Sequence, residues 1–151
     1  MKHLFIVNPT AGGKDSTSEV RAKVEEAFSS HEGQYEIYVT RAPLDATEKI
    51  KSEASTGEHI RAYACGGDGT LNEVLQGVIG CPNAAVGCVP CGSGNDYVRN
   101  FGTQAQFLDL DAQLAAQPFA ADVIRTPQGC GIEIYAAGID AQVANGIPKW
   151  R

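Results

Sequence analysis

Short apolar runs alternate with stretches of helical period along most of this chain. His3 to Val7 is apolar with little alternation, as a strand covered on both faces would be. A loop of small residues follows, Asn8 to Asp15. Ser16 and Glu19 then have the spacing of a capping box, and Val20, Val24, Ala27 and Phe28 form an apolar stripe on the predicted helix. Tyr35 to Thr40 alternates and is rich in β-formers, which predicts a second strand with Thr40 at its C-terminal end. Asp45 to about Ser55 reads as a helix, with Ala46, Ile50 and Ala54 on its inner face and Gly57 as its stop.

The next stretch organises the rest. Ile60 to Cys65 is a buried strand, Gly66-Gly67-Asp68-Gly69 is a turn, and Leu71, Val74, Leu75 and Val78 recur as a helix face. Thr70 and Glu73 have capping-box spacing, so the helix is predicted to begin there. Gly80 to Asn83 is a turn, and Ala85 to Val89 a fourth strand. A short helical turn is predicted over Tyr97 to Phe101, capped by Asn95 or Asp96. Phe107 to Ala116 reads as a helix ended by Pro118. Phe119 to Ile124 and Gly131 to Ala137 read as strands joined in a hairpin through Gln128 to Gly131.

Strands alternating with helices predict an α/β fold with a parallel sheet and helices on both faces. In such sheets ligands sit beyond the carboxyl ends of the strands. Thr10 to Gly13, Thr40, Gly66 to Asn72 and Gly92 to Asp96 all fall at those ends. A strand feeding a glycine turn and a helix N-terminus is an anion site: backbone N–H groups point outward, the helix dipole adds positive potential, and no Cβ blocks close approach. Several of the glycines there are expected to need positive φ. A bare carboxylate beside phosphate is repelled, so Asp68 should act through a metal ion, or face a ribose or a hydroxyl. The plainer reading of Asp68 is a helix cap or turn former.

Bulk properties narrow the classes. The 151 residues suit one domain with a core. The net charge of −6 argues against a nucleic-acid partner. No apolar run approaches the length of a membrane helix, and Leu4 to Val7 is too short for a signal peptide. The five cysteines have no framework spacing, which predicts reduced thiols and a cytoplasmic setting. Cys88 and Cys91 form a C-x-x-C at a strand end, without a second ligand pair, and are read as packing residues. Lys14 does not complete a phosphate-binding P-loop, because residue 15 is Asp and residue 8 is Asn.

Three motifs together resemble the diacylglycerol kinase catalytic-domain family. They are Asn8-Pro9-Thr10-Ala11-Gly12-Gly13, Gly66-Gly67-Asp68-Gly69-Thr70 with Asn72-Glu73-Val74, and Val89-Pro90-Cys91-Gly92-Ser93-Gly94-Asn95-Asp96-Tyr97. Ser93 stands where that family more often has Thr. The resemblance implies an NAD-kinase-type, Rossmann-like α/β domain, placed here at residues 1–127, and the start of a second, mainly β domain at 128–151. It implies transfer of the γ-phosphoryl of ATP, with Mg2+, to a lipid hydroxyl such as that of diacylglycerol. Peripheral contact at the inner face of the membrane is expected from that substrate class.

Carried over position by position, the resemblance assigns Asn8, Pro9, Thr10, Ala11 and Gly12 to the nucleotide. It also assigns Thr40, Gly66, Gly67, Asp68, Gly69, Thr70, Leu71, Asn72 and Ser93, with the Thr40 and Ser93 hydroxyls donating hydrogen bonds. Asp68, Asp96 and Asp122 match aspartates of a metal and water network near the acceptor; Asp122 has an equal alternative as a strand-end residue. The family's general base and a further metal site lie in the second β domain, so no residue here inherits those roles and no metal ligand is assigned. The chain is therefore expected to be the nucleotide-binding half of a lipid kinase. Two alternatives stay open: an NAD-kinase-like enzyme, which shares the central motif but differs at the second glycine loop, and a nucleotide-binding module without activity of its own.

Overall fold

The structure, a computed structural model, describes residues 1–132. It divides into two compact units, Met1–Ala120 and a second beginning at Ala121. The first unit is built on a four-stranded parallel sheet of β1 (Lys2–Val7), β2 (Gln34–Val39), β3 (Ile60–Gly66) and β4 (Ala84–Pro90), in the order β2-β1-β3-β4. Around it stand α1 (Thr17–Phe28), α2 (Asp45–Ala54), α3 (Asp68–Val78), α4 (Asp96–Arg99), α5 (Gln104–Leu108) and α6 (Leu110–Ala115). A parallel α/β sheet flanked by helices is thus what the alternation of periods predicts.

β3 is buried at every position and β1 at all but Lys2, which is why neither alternates in sequence. The pleat sends Phe5, Val7, Tyr63, Cys65 and Val89 to one face, against Val20, Val24 and Ala27 of α1 and Leu110 of α6. Phe5 stacks on Tyr63 at 4.5 Å between ring centroids. On the opposite face α2 and α3 pack on each other so closely that a Cβ on Gly77 would stand 2.8 Å from Cβ of Ile50. Arg61 is buried and donates from Nη1 to the carbonyls of Gln113 and Leu114, 3.0 and 3.3 Å away, so a cation sits at the C-terminal end of α6 where the helix dipole favours it.

Several local expectations are corrected. α3 begins at Asp68, with Gly67 as its N-cap, rather than at Thr70. Glu73 does not reach back to Thr70: its Oε2 accepts the Leu44 N–H at 3.1 Å. Ser16 is the N-cap of α1 but makes no side-chain cap; Asp15 instead accepts the Thr17 N–H at 2.8 Å. Neither Asn95 nor Asp96 caps α4, because the Asn95 side chain turns back onto the N–H and carbonyl of Gly92. The helix expected over 107–116 is two helices. Asp109 takes an extended conformation and accepts the Ala112 N–H at 3.0 Å, and such a local bond competes with the continuing helix.

The second unit contains an antiparallel pair, β5 (Ile124–Thr126) and β6 (Gly129–Gly131). The hairpin is real but its turn is Pro127-Gln128, two residues earlier than expected, and 119–123 is irregular. Proline presets φ for a tight turn and has no N–H to give a ladder, which places the reversal at Pro127. The rest of the strand predicted to reach Ala137, and the stretch from Ile139 onward, lie outside the described residues.

Candidate functional site

β1 has β2 on one side and β3 on the other, so the chains leaving β1 and β3 diverge. This is the topological switch point of the sheet, where α/β proteins open a crevice beyond the strand ends. The loop after β1 and the turn after β3 are tied together across it. Asn8 donates its N–H to the carbonyl of Cys65 at 3.1 Å, and its Nδ2 donates to Thr70 Oγ1 at 3.1 Å. Asn8 Oδ1 accepts from the N–H and the hydroxyl of Thr10, at 3.0 and 2.9 Å. One amide side chain thus sets both the fold of the first loop and its distance from α3.

The glycine turn is shaped by close approach rather than by unusual φ. Gly66, Gly67 and Gly69 are not among the residues with positive φ, which corrects the sequence-based expectation. A Cβ on Gly66 would overlap the Thr70 side chain, and one on Gly92 would overlap the Cα of Gly67. The two glycine loops therefore touch backbone to backbone. Positive φ is required instead in the first loop: Gly12 has φ of 68°, and a Cβ there would meet the Cys91 carbonyl oxygen at 2.5 Å. A Cβ on Gly69 would meet nothing within 4 Å, so that turn faces open space.

The N-terminus of α3 is left uncapped. Gly67 has no side chain to offer, and the first intrahelical bond of the helix runs from the Leu71 N–H to the Gly67 carbonyl at 3.0 Å. The N–H groups of Asp68, Gly69 and Thr70 precede it and are the orphan donors of the helix end. Donors, dipole and open space coincide there, which suits an anion. Asp68, half-buried, accepts the Tyr97 N–H on Oδ1 at 3.4 Å, and a Cβ on Gly94 would lie 2.9 Å from its Oδ2. Asp96 is exposed and paired with Arg99 at 2.8 Å.

Beside this turn lies a cleft of about 280 Å³, lined by Asn8, Pro9, Thr10, Thr40, Arg41, Ala42, Pro43, Thr70 and Glu73. Thr70 and Asn8 are thus common to the cleft and to the tie across the switch point. Thr40 sits where β2 ends, as its position in the sequence predicts, but its hydroxyl donates to the Val7 carbonyl at 3.3 Å. Arg41 is held in place by Asp45, through Nε at 3.3 Å and through its own N–H at 2.9 Å.

Ala11 and Gly12 lie in the short turn Ala11–Gly13 after β1, next to Pro9 and Thr10, and Gly12 departs from helical geometry within it. Ser93 and Asn72 are exposed, and Asn72 Oδ1 accepts from Gln76. Leu71 is 2% exposed and packs into the core, so it offers the site neither its side chain nor its N–H. Asp122 belongs to the second unit, exposed in irregular chain before β5. Arg41, Pro43 and Glu73 were not assigned to the site from the sequence, where Glu73 was read only as a capping residue and a motif position. Arg41 follows the strand-end Thr40 directly and Glu73 follows Asn72 in the motif, so position along the chain was the available signal.

Cys65, Cys88 and Cys91, at the strand ends, are neutral thiols. Burial, with a smaller contribution from the Asp68 charge, pushes the Cys88 thiol up to about 12. Burial also raises Cys91, and Cys65 well beyond the ordinary thiol range. Neutral thiols are poor nucleophiles and poor metal ligands. Among the described residues no group of three His, Cys, Asp or Glu side chains is placed to hold a metal ion, and no helix is long and apolar enough to cross a membrane.

A family model described as the diacylglycerol kinase catalytic domain matches residues 2–126. A diacylglycerol kinase of Bacillus subtilis (strain 168) is 35% identical over 99 residues, covering 65% of this chain and 32% of its own length. A diacylglycerol kinase of Staphylococcus saprophyticus is 28% identical over 150 residues, covering 96% of this chain and 48% of its own length. The crystal structure of a diacylglycerol kinase from Bacillus anthracis str. Sterne superposes with a TM-score of 0.65 at 28% identity, over 85% of this chain and 45% of that one. The chain spans about half or less of the length of these relatives.

Proposed function

The chain belongs to the diacylglycerol kinase catalytic domain family, and on that premise we propose that it carries the ATP-binding part of a lipid kinase, which transfers the γ-phosphoryl of ATP to a lipid hydroxyl. The observation that supports this best is the uncapped N-terminus of α3. It opens at the switch point of the sheet and meets the second glycine loop at Gly92.

Phosphoryl transfer needs mainly positioning and charge stabilisation. The N–H groups of Gly69 and Thr70 would hold phosphate oxygens, with Gly67 and Gly92 keeping the backbone close. Asn8 keeps the first loop folded toward α3, so that Thr10 to Gly12 close over the same phosphates. The cleft bounded by Thr40, Arg41, Pro43 and Glu73 would take the rest of the nucleotide. Asp68 and Asp96 would face the acceptor hydroxyl.

The donor set fits Mg2+ in the manner usual for nucleotide enzymes, with one or two carboxylates completed by phosphate oxygens. Asp68 is a half-buried carboxylate beside the open turn, and a Cβ on Gly94 would lie 2.9 Å from its Oδ2 and 3.9 Å from Oδ2 of Asp96, so the two carboxylates flank the same glycine. Held by them together with ATP, the ion would neutralise charge on the phosphates.

Calorimetric titration of the 151-residue chain with ATP tests the reading, with and without Mg2+ and with NAD+ as a control. Metal-sensitive ATP binding without a response to NAD+ is expected. A folded chain that ignores ATP would refute the assignment of this site, and NAD+ binding or phosphorylation would move the protein to the NAD-kinase side of the superfamily.

A further inference from the structure

Three aromatic rings next to the second glycine loop take no part in the nucleotide site. Tyr97 and Phe101 lie one turn apart, with ring centroids 4.9 Å from each other, and Phe119 extends the row at 6.1 Å from Phe101. Phe101 is 53% and Phe119 70% exposed. Contiguous aromatic surface left in water usually meets a ligand or partner.

We infer that this row seats the acyl chain of the acceptor lipid, an inference that rests on the lipid-kinase reading. Its first ring belongs to the residue whose N–H bonds the Asp68 carboxylate. An acceptor whose hydroxyl lies at Asp68 carries its acyl chains only a few bonds from that hydroxyl. The chains then leave along the surface next to Tyr97, where the row of rings begins. Charge points to the same occupant. Asp96 and Arg99, the ionised groups of α4, pair at 2.8 Å, so α4 itself brings no unpaired cation to the row that would draw an anionic headgroup. A neutral diacyl or monoacyl alcohol matches it.

The test is a calorimetric titration of the chain with monomeric dioctanoylglycerol, with glycerol as the control lacking acyl chains. Phe101→Ala with Phe119→Ala is expected to weaken lipid binding by about tenfold or more, since apolar contact area is lost. Phe101→Leu with Phe119→Leu is expected to recover most of it, because the seat needs apolar volume. ATP binding should be the same in all three proteins. Equal lipid binding by the alanine pair overturns the inference. So does an effect confined to sedimentation, which would make the row a contact between copies, or confined to partition onto phosphatidylcholine vesicles, which would make it a membrane contact. A chain that binds ATP but no dioctanoylglycerol overturns the seat alone; one that binds neither overturns the lipid-kinase reading with it.

Discussion

Gly67 and Gly92 touch through their backbones, and a Cβ built on Gly92 would overlap the Cα of Gly67 while standing 2.9 Å from Asn95 Oδ1. The two glycine motifs are thus one packed unit, although β4 and the rest of α3 separate them in sequence. Gly69, two residues beyond Gly67, has empty space where its Cβ would be. The two positions should therefore respond oppositely to alanine. Gly92→Ala has no room and should cost about 2 kcal/mol or more. Gly69→Ala lies in the first turn of a helix and should leave stability unchanged or slightly raised. Its methyl group would stand before the free N–H groups, and ATP affinity should fall at least about tenfold. Thermal melts and ATP titrations of both variants separate the roles; a stable Gly69→Ala protein with normal ATP affinity would remove the phosphate from this turn.

Thr70 carries the tie to the first loop, accepting from Asn8 Nδ2, and as a residue it is only 5% exposed. Thr70→Val keeps the volume and removes the acceptor. It should cost about 1 kcal/mol. Amide exchange in Thr10 to Gly13 should accelerate, because Asn8 would lose one of its anchors. Unchanged exchange in that loop would show that the tie does not order it.

Much of this arrangement was legible in the sequence, for identifiable reasons. Buried parallel strands read as unbroken apolar runs, and β1, β3 and β4 were found that way. Glycines clustered after a strand marked the turn. The reason for the glycines was not legible, because a clash between Gly92 and Gly67 depends on strands meeting side by side and leaves no local trace. Spacing alone also over-read Thr70 and Glu73 as a capping box, when tertiary contacts draw Thr70 to Asn8 and Glu73 to Leu44. Asp109 had the right chemistry to end one helix and cap the next, but a mixed apolar period ran across it. Thr103 and Gln106 form a genuine capping box at α5, which the period-based reading passed over.

Leu44 has φ of 69° and is 60% exposed, so it carries left-handed strain with little burial to offset it. Its backbone is held there by Glu73, which accepts its N–H, and by its place as the N-cap of α2. Leu44→Gly relieves the Cβ clash at a position where glycine is tolerated, and should stabilise the protein by about 1 kcal/mol. The melting temperature should rise by a few degrees. A fall would mean that the exposed leucine side chain makes contacts that outweigh its strain.

Asp45 links acid sensitivity to the cleft. Hydrogen bonds from the Arg41 side chain, then the Arg41 backbone and Tyr38, lower its pKa from 3.8 to about 2. A lowered folded pKa means that the contribution is present above the unfolded value and is lost as the pH falls from about 4 through about 2. Asp45→Asn should therefore be less stable than the parent protein at neutral pH, and the gap should close across that window. Urea melts of both proteins between neutral pH and the acid limb check this. A gap independent of pH would mean that Asp45 acts by packing rather than by charge.

Asp68 is the residue whose substitution separates holding from reacting. Its Oδ1 accepts the Tyr97 N–H, and an asparagine at that position retains an oxygen for the same bond. Asp68→Asn should therefore keep the fold and the contact between α3 and α4, with a melting temperature within a few degrees of the parent. What it removes is the negative charge that would draw Mg2+ to the phosphates or face the acceptor hydroxyl. Phosphoryl transfer, measured in the protein of the relatives' full length, should drop by about a hundredfold or more. ATP binding without Mg2+ should be unchanged or tighter, since a carboxylate beside phosphate repels it. Normal turnover in this variant would return Asp68 to the role of a structural acceptor for Tyr97.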